Sequence, residues 1–252
     1  MVIIDRVISN LPAHHTEVFE GDLTYSHLPS STVSITLDYI ISYLIPGVIT
    51  LITTFVLNKK NPFYPCLNVI YVSLQSYALT ELIVKSLKVI AGRPRPSFFA
   101  ICGYPLQNNN TRIYGTYGVV ADITKCQNTD SISEAFSSFP SGHSSVAMGA
   151  SSLYILIYIY QLYPLIPNCS LLFKKAISLI WCFLLFFMAL FVGASRFFDF
   201  KHFISDIFAG FIISICVSLF SYYMTYKMIL DVDSEKKKYD DGKNYGSPAS
   251  VV

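Results

Sequence analysis

The chain has 252 residues, of which 53% are hydrophobic and only 13% charged, with a mean hydropathy of +0.49. A soluble domain could not keep that much apolar surface out of water, so the composition points to a polytopic membrane protein. A formal net charge of +2, with no basic stripe carrying interleaved aromatics, excludes a nucleic-acid partner.

Residues 1–33 carry Asp5, Glu17, Glu20 and Asp22 and lack the basic-then-apolar layout of a cleavable signal, so this part reads as a polar N-terminal segment on the non-cytoplasmic side. Five stretches then follow that are long and apolar enough to cross a hydrocarbon core of ~30 Å, which takes about 20 helical residues. They run near Ile35 to Leu57, Cys66 to Ala91, Ser144 to Tyr163, Ala176 to Ala194 and Phe203 to Tyr226. Helices are expected rather than strands, because every amide in lipid must be satisfied within its own segment and the runs do not alternate as a barrel's would. The expected fold is therefore all-α, one transmembrane helical bundle over residues 34–226, followed by a disordered, lysine-bearing tail over residues 227–252.

Alternation places the Asn58–Pro62 turn, the Lys174-Lys175 pair and the tail with Lys227, Lys236, Lys237, Lys238 and Lys243 on one side, which the positive-inside rule makes cytoplasmic. The long loop from Gly92 to Phe139 lies on the other side and carries a glycosylation sequon at Asn109. Asn168-Cys169-Ser170 falls on the cytoplasmic side and should stay unmodified. No CxxC pair occurs among the six cysteines. Cys66, Cys182 and Cys216 read as small core residues, whereas Cys102 and Cys126 share the long loop and could pair if it faces an oxidising compartment. His14, His15 and His27 have no metal-site spacing, and the expectation is a solvated loop.

Three clusters at span ends carry chemistry. In Lys88 to Pro96, Pro94 and Pro96 end a helix, and the kinked exit can aim Lys88 and Arg95 at one anion, although cations snorkelling to headgroups would read the same. Arg93 either touches the headgroup or only the membrane. In Pro140 to Ser145, a helix start offers free amides, Gly142 lets backbone approach an oxyanion, and His143 can donate a proton; an ordinary serine cap is the alternative. In Ser195 to Asp206, the spacing of His202 and Asp206 would put a carboxylate one turn from the imidazole, fixing its tautomer and leaving the other nitrogen as a nucleophile or base; a helical ion pair at the membrane interface is the alternative. Asp199 either positions His202 or the cations, or pairs with Lys201. All three clusters fall on the same side of the membrane under this topology.

Taken in order, Lys88, Arg95 and Pro96, then Pro140 to His143, then Ser195, Arg196, His202 and Asp206, these clusters resemble the three motifs of the type 2 phosphatidic acid phosphatase superfamily, which includes lipid phosphate phosphatases and shares its site with vanadium haloperoxidases. The flanks Gly92 to Phe98 with Cys102, and Phe139 to Ser145, are similar to the eukaryotic lipid phosphate phosphatases. The resemblance implies a cofactor-free and metal-independent hydrolase of lipid phosphates. His202 would be the nucleophile, Asp206 its support and His143 the acid and base, while Lys88, Arg95, Ser141, Gly142 and Arg196 would bind the phosphate. It also implies six spans where five are visible, with Asp22 to Tyr25 similar to the loop after a missing first span, hence a truncated chain. A headgroup transferase, a polyprenyl diphosphate phosphatase and a silent lipid-binding protein are the alternatives, and nothing in the sequence indicates an oligomer.

Overall fold

The computed structural model describes residues 14–59, 61–106, 114–166 and 170–227. Asn109, Asn168 and the tail beyond residue 227 lie outside the described residues. Among the described residues, five helices are long and apolar enough to span a membrane: α1, Ile35–Leu57; α2, Phe63–Ala91; α3, Gly142–Leu165; α4, Leu171–Phe198; and α5, Ile204–Met224. Among the described residues there is no strand, only isolated bridges joining Phe19 to Val120 and Leu106 to Tyr114.

Helix α3 is the axle of the bundle, with 67% of its most apolar window buried against 22% for α4. It packs on α2, α4 and α5. Its first half is built from Gly142, Ser144, Ser145, Ala147, Gly149, Ala150 and Ser151, small residues that let neighbouring backbones come close where no hydrophobic force drives helices together in lipid. The outward face of α4 instead carries Leu172, Leu179 and Phe183, each more than half exposed, as a lipid-facing surface requires. Cys216, on α5, is exposed, so the reading of it as a core residue is corrected; Cys66 and Cys182 are partly buried.

Local chemistry sets where the spans bend and stop. Pro46 has no amide proton to give to residue 42, and the turn preceding it, Ile40–Leu44, widens into a π-helix within α1. Helix α2 ends before the prolines expected to break it. Gly92 adopts a left-handed conformation at φ 51°, and its amide reaches back to the Lys88 carbonyl at 3.0 Å. Helix α4 runs through Ser195 and Arg196 to Phe198, longer than the apolar run alone suggests, because the cluster's first residues still face the bundle interior.

The loop between α2 and α3 folds as a cap around Phe98, Phe99, Tyr104, Tyr114 and Phe136, and Cys102 is joined to Cys126 by a disulfide. Residues 14–33 bond to the end of α2 and to this loop. His14 and Thr16 donate to the carbonyls of Val89 and Gly92 at the end of α2. Gly21 donates to Tyr114, and Ala121 to Val18. His15 stacks on Phe136 and His27 on Phe200, each at 4.2 Å, while His14 and His15 stay exposed and His27 is half-buried. Glu20, only 2% exposed, accepts from the Tyr104 hydroxyl, from the Thr116 amide at 2.7 Å and from Lys125 at 3.0 Å.

These bonds, the Thr116 amide first and then Tyr104, hold the Glu20 carboxyl down to about 2. A depressed carboxylate stabilises the fold above its unfolded value of roughly 4.3 and ceases to as pH falls through its folded value. Glu20→Gln is therefore expected to lower stability at pH 7 by about 2 kcal/mol. The gap from wild type should close between pH 4.5 and 2, as read by thermal unfolding in detergent. A gap constant across that range would remove the electrostatic account.

The contact between α5 and α3 depends on Gly210. A Cβ there would lie 2.8 Å from the Ser141 carbonyl and 2.7 Å from Ser145 Oγ, and the backbone atom cannot move aside cheaply. Gly210→Ala is expected to cost about 1–3 kcal/mol by overpacking. Activity should fall with it, because the α3 start is displaced; equal activity and melting temperature in the variant would refute this.

Candidate active site

Helix ends from all three clusters meet at one rim of the bundle around a cavity of about 510 Å³. Lys88, Arg95, Gly142, His143, Arg196 and His202 all line it. Three residues foreseen from sequence, Ser141, Asp206 and Asp199, do not. Ser141 is fully buried as the cap of α3, its hydroxyl 2.8 Å from that of Ser144 and accepting from the Ser144 amide at 3.4 Å, so its side chain is spent on the helix start. Asp206 is likewise fully buried, beneath the cavity rather than in its wall.

The partner of His202 is not the one its spacing suggests. His202 precedes α5, which begins at Ile204, so the one-turn relation of a continuous helix does not hold, and its Nδ1 is 4.0 Å from Asp206, beyond hydrogen bonding. Nδ1 lies instead 2.6 Å from the backbone carbonyl of Ser138. A carbonyl can only accept, so Nδ1 carries the proton and Nε2 keeps its lone pair. Burial, reinforced by the positive charges of Arg95 and Lys88, pushes the His202 imidazole well below its ordinary range, and it is neutral at pH 7.

Asp206 acts one step further back. It accepts from Arg93 at 2.6 Å, from the Ser138 hydroxyl at 2.6 Å and from the Phe203 amide at 3.0 Å. Arg93 also lies 4.4 Å above the Phe203 ring. Arg93, with 36% of its side chain still exposed, is thus the counter-ion of the buried Asp206. Ser138 joins the two halves, its carbonyl on His202 and its hydroxyl on Asp206. Nothing in the second of two adjacent serines, two residues before a proline, singled it out in the sequence.

The cations are held from below. Lys88 donates to the Ser137 carbonyl at 3.1 Å, and Arg95 pairs with Glu134 at 3.2 Å. The Arg95 amide also donates to the Ala135 carbonyl at 2.9 Å, so the first cluster is stitched to the residues that lead into the second. Arg196 pairs with Asp199 at 2.8 Å and donates from Nε to Ser195 Oγ at 3.1 Å. Asp199 therefore serves the cation set and not Lys201, which lines the cavity as a further positive group. Between them, Phe200 takes a left-handed φ of 52°, an uncommon state for a bulky residue, which turns the chain so that the Lys201 and His202 amides both reach the Arg196 carbonyl, at 3.0 and 3.3 Å. The inner wall carries Asp38, Glu81, Tyr39 and Tyr77, a polar lining inside the apolar spans that the sequence reading passed over. Among the described residues no group of three or more His, Cys, Asp or Glu side chains is arranged to hold a metal ion.

A cavity with a neutral imidazole whose outer nitrogen is free, a second imidazole and several fixed cations is suited to transfer of an anionic group. Comparison with known proteins agrees with that chemistry. Residues 69–229 match the PAP2 superfamily. The chain is 27% identical over 242 residues to lipid phosphate phosphatase 2 of Arabidopsis thaliana, covering 92% of this chain and 76% of that protein. It is 26% identical over 258 residues to diacylglycerol pyrophosphate phosphatase 1 of Saccharomyces cerevisiae, covering 95% and 83%. A PA-phosphatase related-family protein of Dictyostelium discoideum is 27% identical over 219 residues, 85% of this chain and 63% of that protein. No solved structure matches the chain. With its matched region spanning well over half of its residues, and the three clusters brought to one cavity, this chain belongs to the PAP2 superfamily.

Proposed function

We propose that the protein is an integral-membrane lipid phosphate phosphatase that hydrolyses phosphomonoesters such as phosphatidate through a phosphohistidine, without a metal ion. The observation that carries this reading is the tautomer of His202. With Nδ1 donating to the Ser138 carbonyl at 2.6 Å, Nε2 is an unprotonated nucleophile in the wall of a cation-lined cavity. Nε2 attacks phosphorus, the P–O bond to the lipid breaks, and His143 gives its proton to the departing alkoxide. His143 then takes a proton from water, which attacks the phosphohistidine and returns His202 to its starting state. Lys88, Arg95, Arg196 and the Gly142 amide hold the equatorial oxygens where charge gathers. Uncatalysed monoester hydrolysis is so slow that these groups must together lower the barrier by ~20 kcal/mol or more, which favours a preorganised set over flexible side chains. The supported face is luminal or extracellular with the tail cytoplasmic, since the Cys102–Cys126 disulfide sits beside the cavity's cap and suits an oxidising compartment.

Phosphate release from short-chain phosphatidate by detergent-solubilised protein is expected to persist in excess chelator and to fall at least about a thousandfold in His202→Ala. Loss of activity with chelator would contradict metal independence, and an active His202→Ala would remove the nucleophile. Ser138→Ala keeps the carbonyl but cuts its tie to Asp206. It is expected to lower kcat about tenfold with KM nearly unchanged, since a loosened imidazole weakens attack more than binding. A change confined to KM would show that Ser138 does not act through His202.

A further inference from the structure

Asp199 is 1% exposed and Arg196 2%, and the carboxylate between them takes most of its hydrogen bonds from the N-terminal segment. Ser30 Oγ donates to Oδ1 at 2.6 Å and Thr32 Oγ1 to the same oxygen at 2.7 Å. The Thr32 amide donates to Oδ2 at 2.8 Å, the oxygen that also receives Arg196 Nη2 at 2.8 Å. The Ser30 amide closes the arrangement on the Asp199 backbone carbonyl at 3.2 Å. These donors come from about 170 residues away in the chain, and they orient the carboxylate. With Nη2 on Asp199 and Nε on Ser195 Oγ, the guanidinium has one orientation, and its remaining donors are presented to the cavity that Arg196 lines. The same segment supplies Ser31, Val33 and Ser34 to the cavity wall.

We propose that Ser30 and Thr32 are positioning residues for the phosphate clamp, acting through Asp199 on Arg196, so that the N-terminal segment is a fourth part of the active site beside the three motif clusters. The proposal rests on the reading of the cavity as a phosphate site. Burial alone would raise the Asp199 carboxyl, but the bonds from Ser30 and Thr32, with the charge of Arg196, hold it below its ordinary range, so it stays an anion able to steer a cation. A segment that merely tethered the cap would matter equally at all of its contacts. A segment that aims Arg196 matters for phosphate affinity only where it touches Asp199.

The experiment uses the full chain in detergent, with a short-chain lipid phosphate as substrate and inorganic phosphate as competitive inhibitor. Thr32→Val removes one charge-assisted hydrogen bond and is expected to raise both KM and the phosphate inhibition constant about tenfold, with kcat falling by a smaller factor. Thr32→Ser restores the hydroxyl and should return both constants to within about twofold of wild type. Ser30→Ala, a milder change that serves should Thr32→Val not fold, should raise the inhibition constant about threefold to tenfold. Glu20→Gln, in the same segment but bonded to Tyr104, Thr116 and Lys125, should lower the unfolding temperature and leave the inhibition constant unchanged. An unchanged inhibition constant in Thr32→Val and Ser30→Ala overturns the proposal, as does a Thr32→Ser variant no better than Thr32→Val. An equal rise in Glu20→Gln would also overturn it. A wild-type protein that neither releases phosphate nor binds it would instead sink the phosphatase reading, so the two failures are distinct.

Discussion

The carboxylate of Asp206, fully buried at the rim of the bundle, accepts from Arg93 of the α2 exit, from Ser138 ahead of α3 and from the Phe203 amide that opens α5. Each donor belongs to a different motif region, so this one anion holds together three stretches that are distant in the chain. The Ser141 amide adds a fourth link by donating to the Asp206 carbonyl at 3.0 Å. Such a charge, out of water, costs several kcal/mol unless every lone pair is met, and removing one partner costs more than the bond itself because the remaining charge is stranded. Arg93 supplies the compensating charge and Ser138 and Phe203 the geometry. The orientation of the His202 imidazole follows, since the carbonyl that holds it belongs to the serine that Asp206 holds.

Around this junction the molecule separates two tasks. The outer faces of α1, α2 and α4 are apolar and exposed to the width of a bilayer, and they determine where the protein resides. The inner faces of α2, α3 and α5 are lined with small glycines, serines and threonines that bring the helices close, and several of the hydroxyls bond nearby carbonyls, Ser218 to Gly149 at 2.7 Å among them. The close approach at Gly210 joins the start of α3 to α5 tightly enough that the second and third motifs move as one piece. Above them the disulfide-closed cap and residues 14–33 lie across the exit of α2 and the end of α4.

Much of the fold was legible because lipid leaves so few choices. Apolar runs of about 20 residues in a membrane must be helices, and the five spans found differ from those read in the chain mainly at their ends. Span ends were less legible because capping and interior polarity decide them: Gly92 stops α2 before Pro94 does, and Arg196 remains helical because it points inward. The six cation, imidazole and backbone groups that share the cavity were visible as residues, since few other reasons place lysine, arginine and histidine at the ends of apolar stretches. Their second partners were not. Ser138, Ser30 and Thr32 are ordinary polar residues in loops and Glu134 one in a single helical turn, and nothing local distinguishes them from solvated ones.

The sequence by itself determined the class of the protein, the five apolar spans found among the described residues, the gathering of the three clusters at span ends and the residue types available for phosphate chemistry, because periodicity, hydrophobic length and spacing are local properties. Only the tertiary structure decided which carbonyl holds His202, which cation neutralises Asp206 and that the N-terminal segment reaches the clamp. Those are contacts between residues far apart in the chain, and their geometry is set by how helices of particular length and side-chain size pack, which no single stretch encodes.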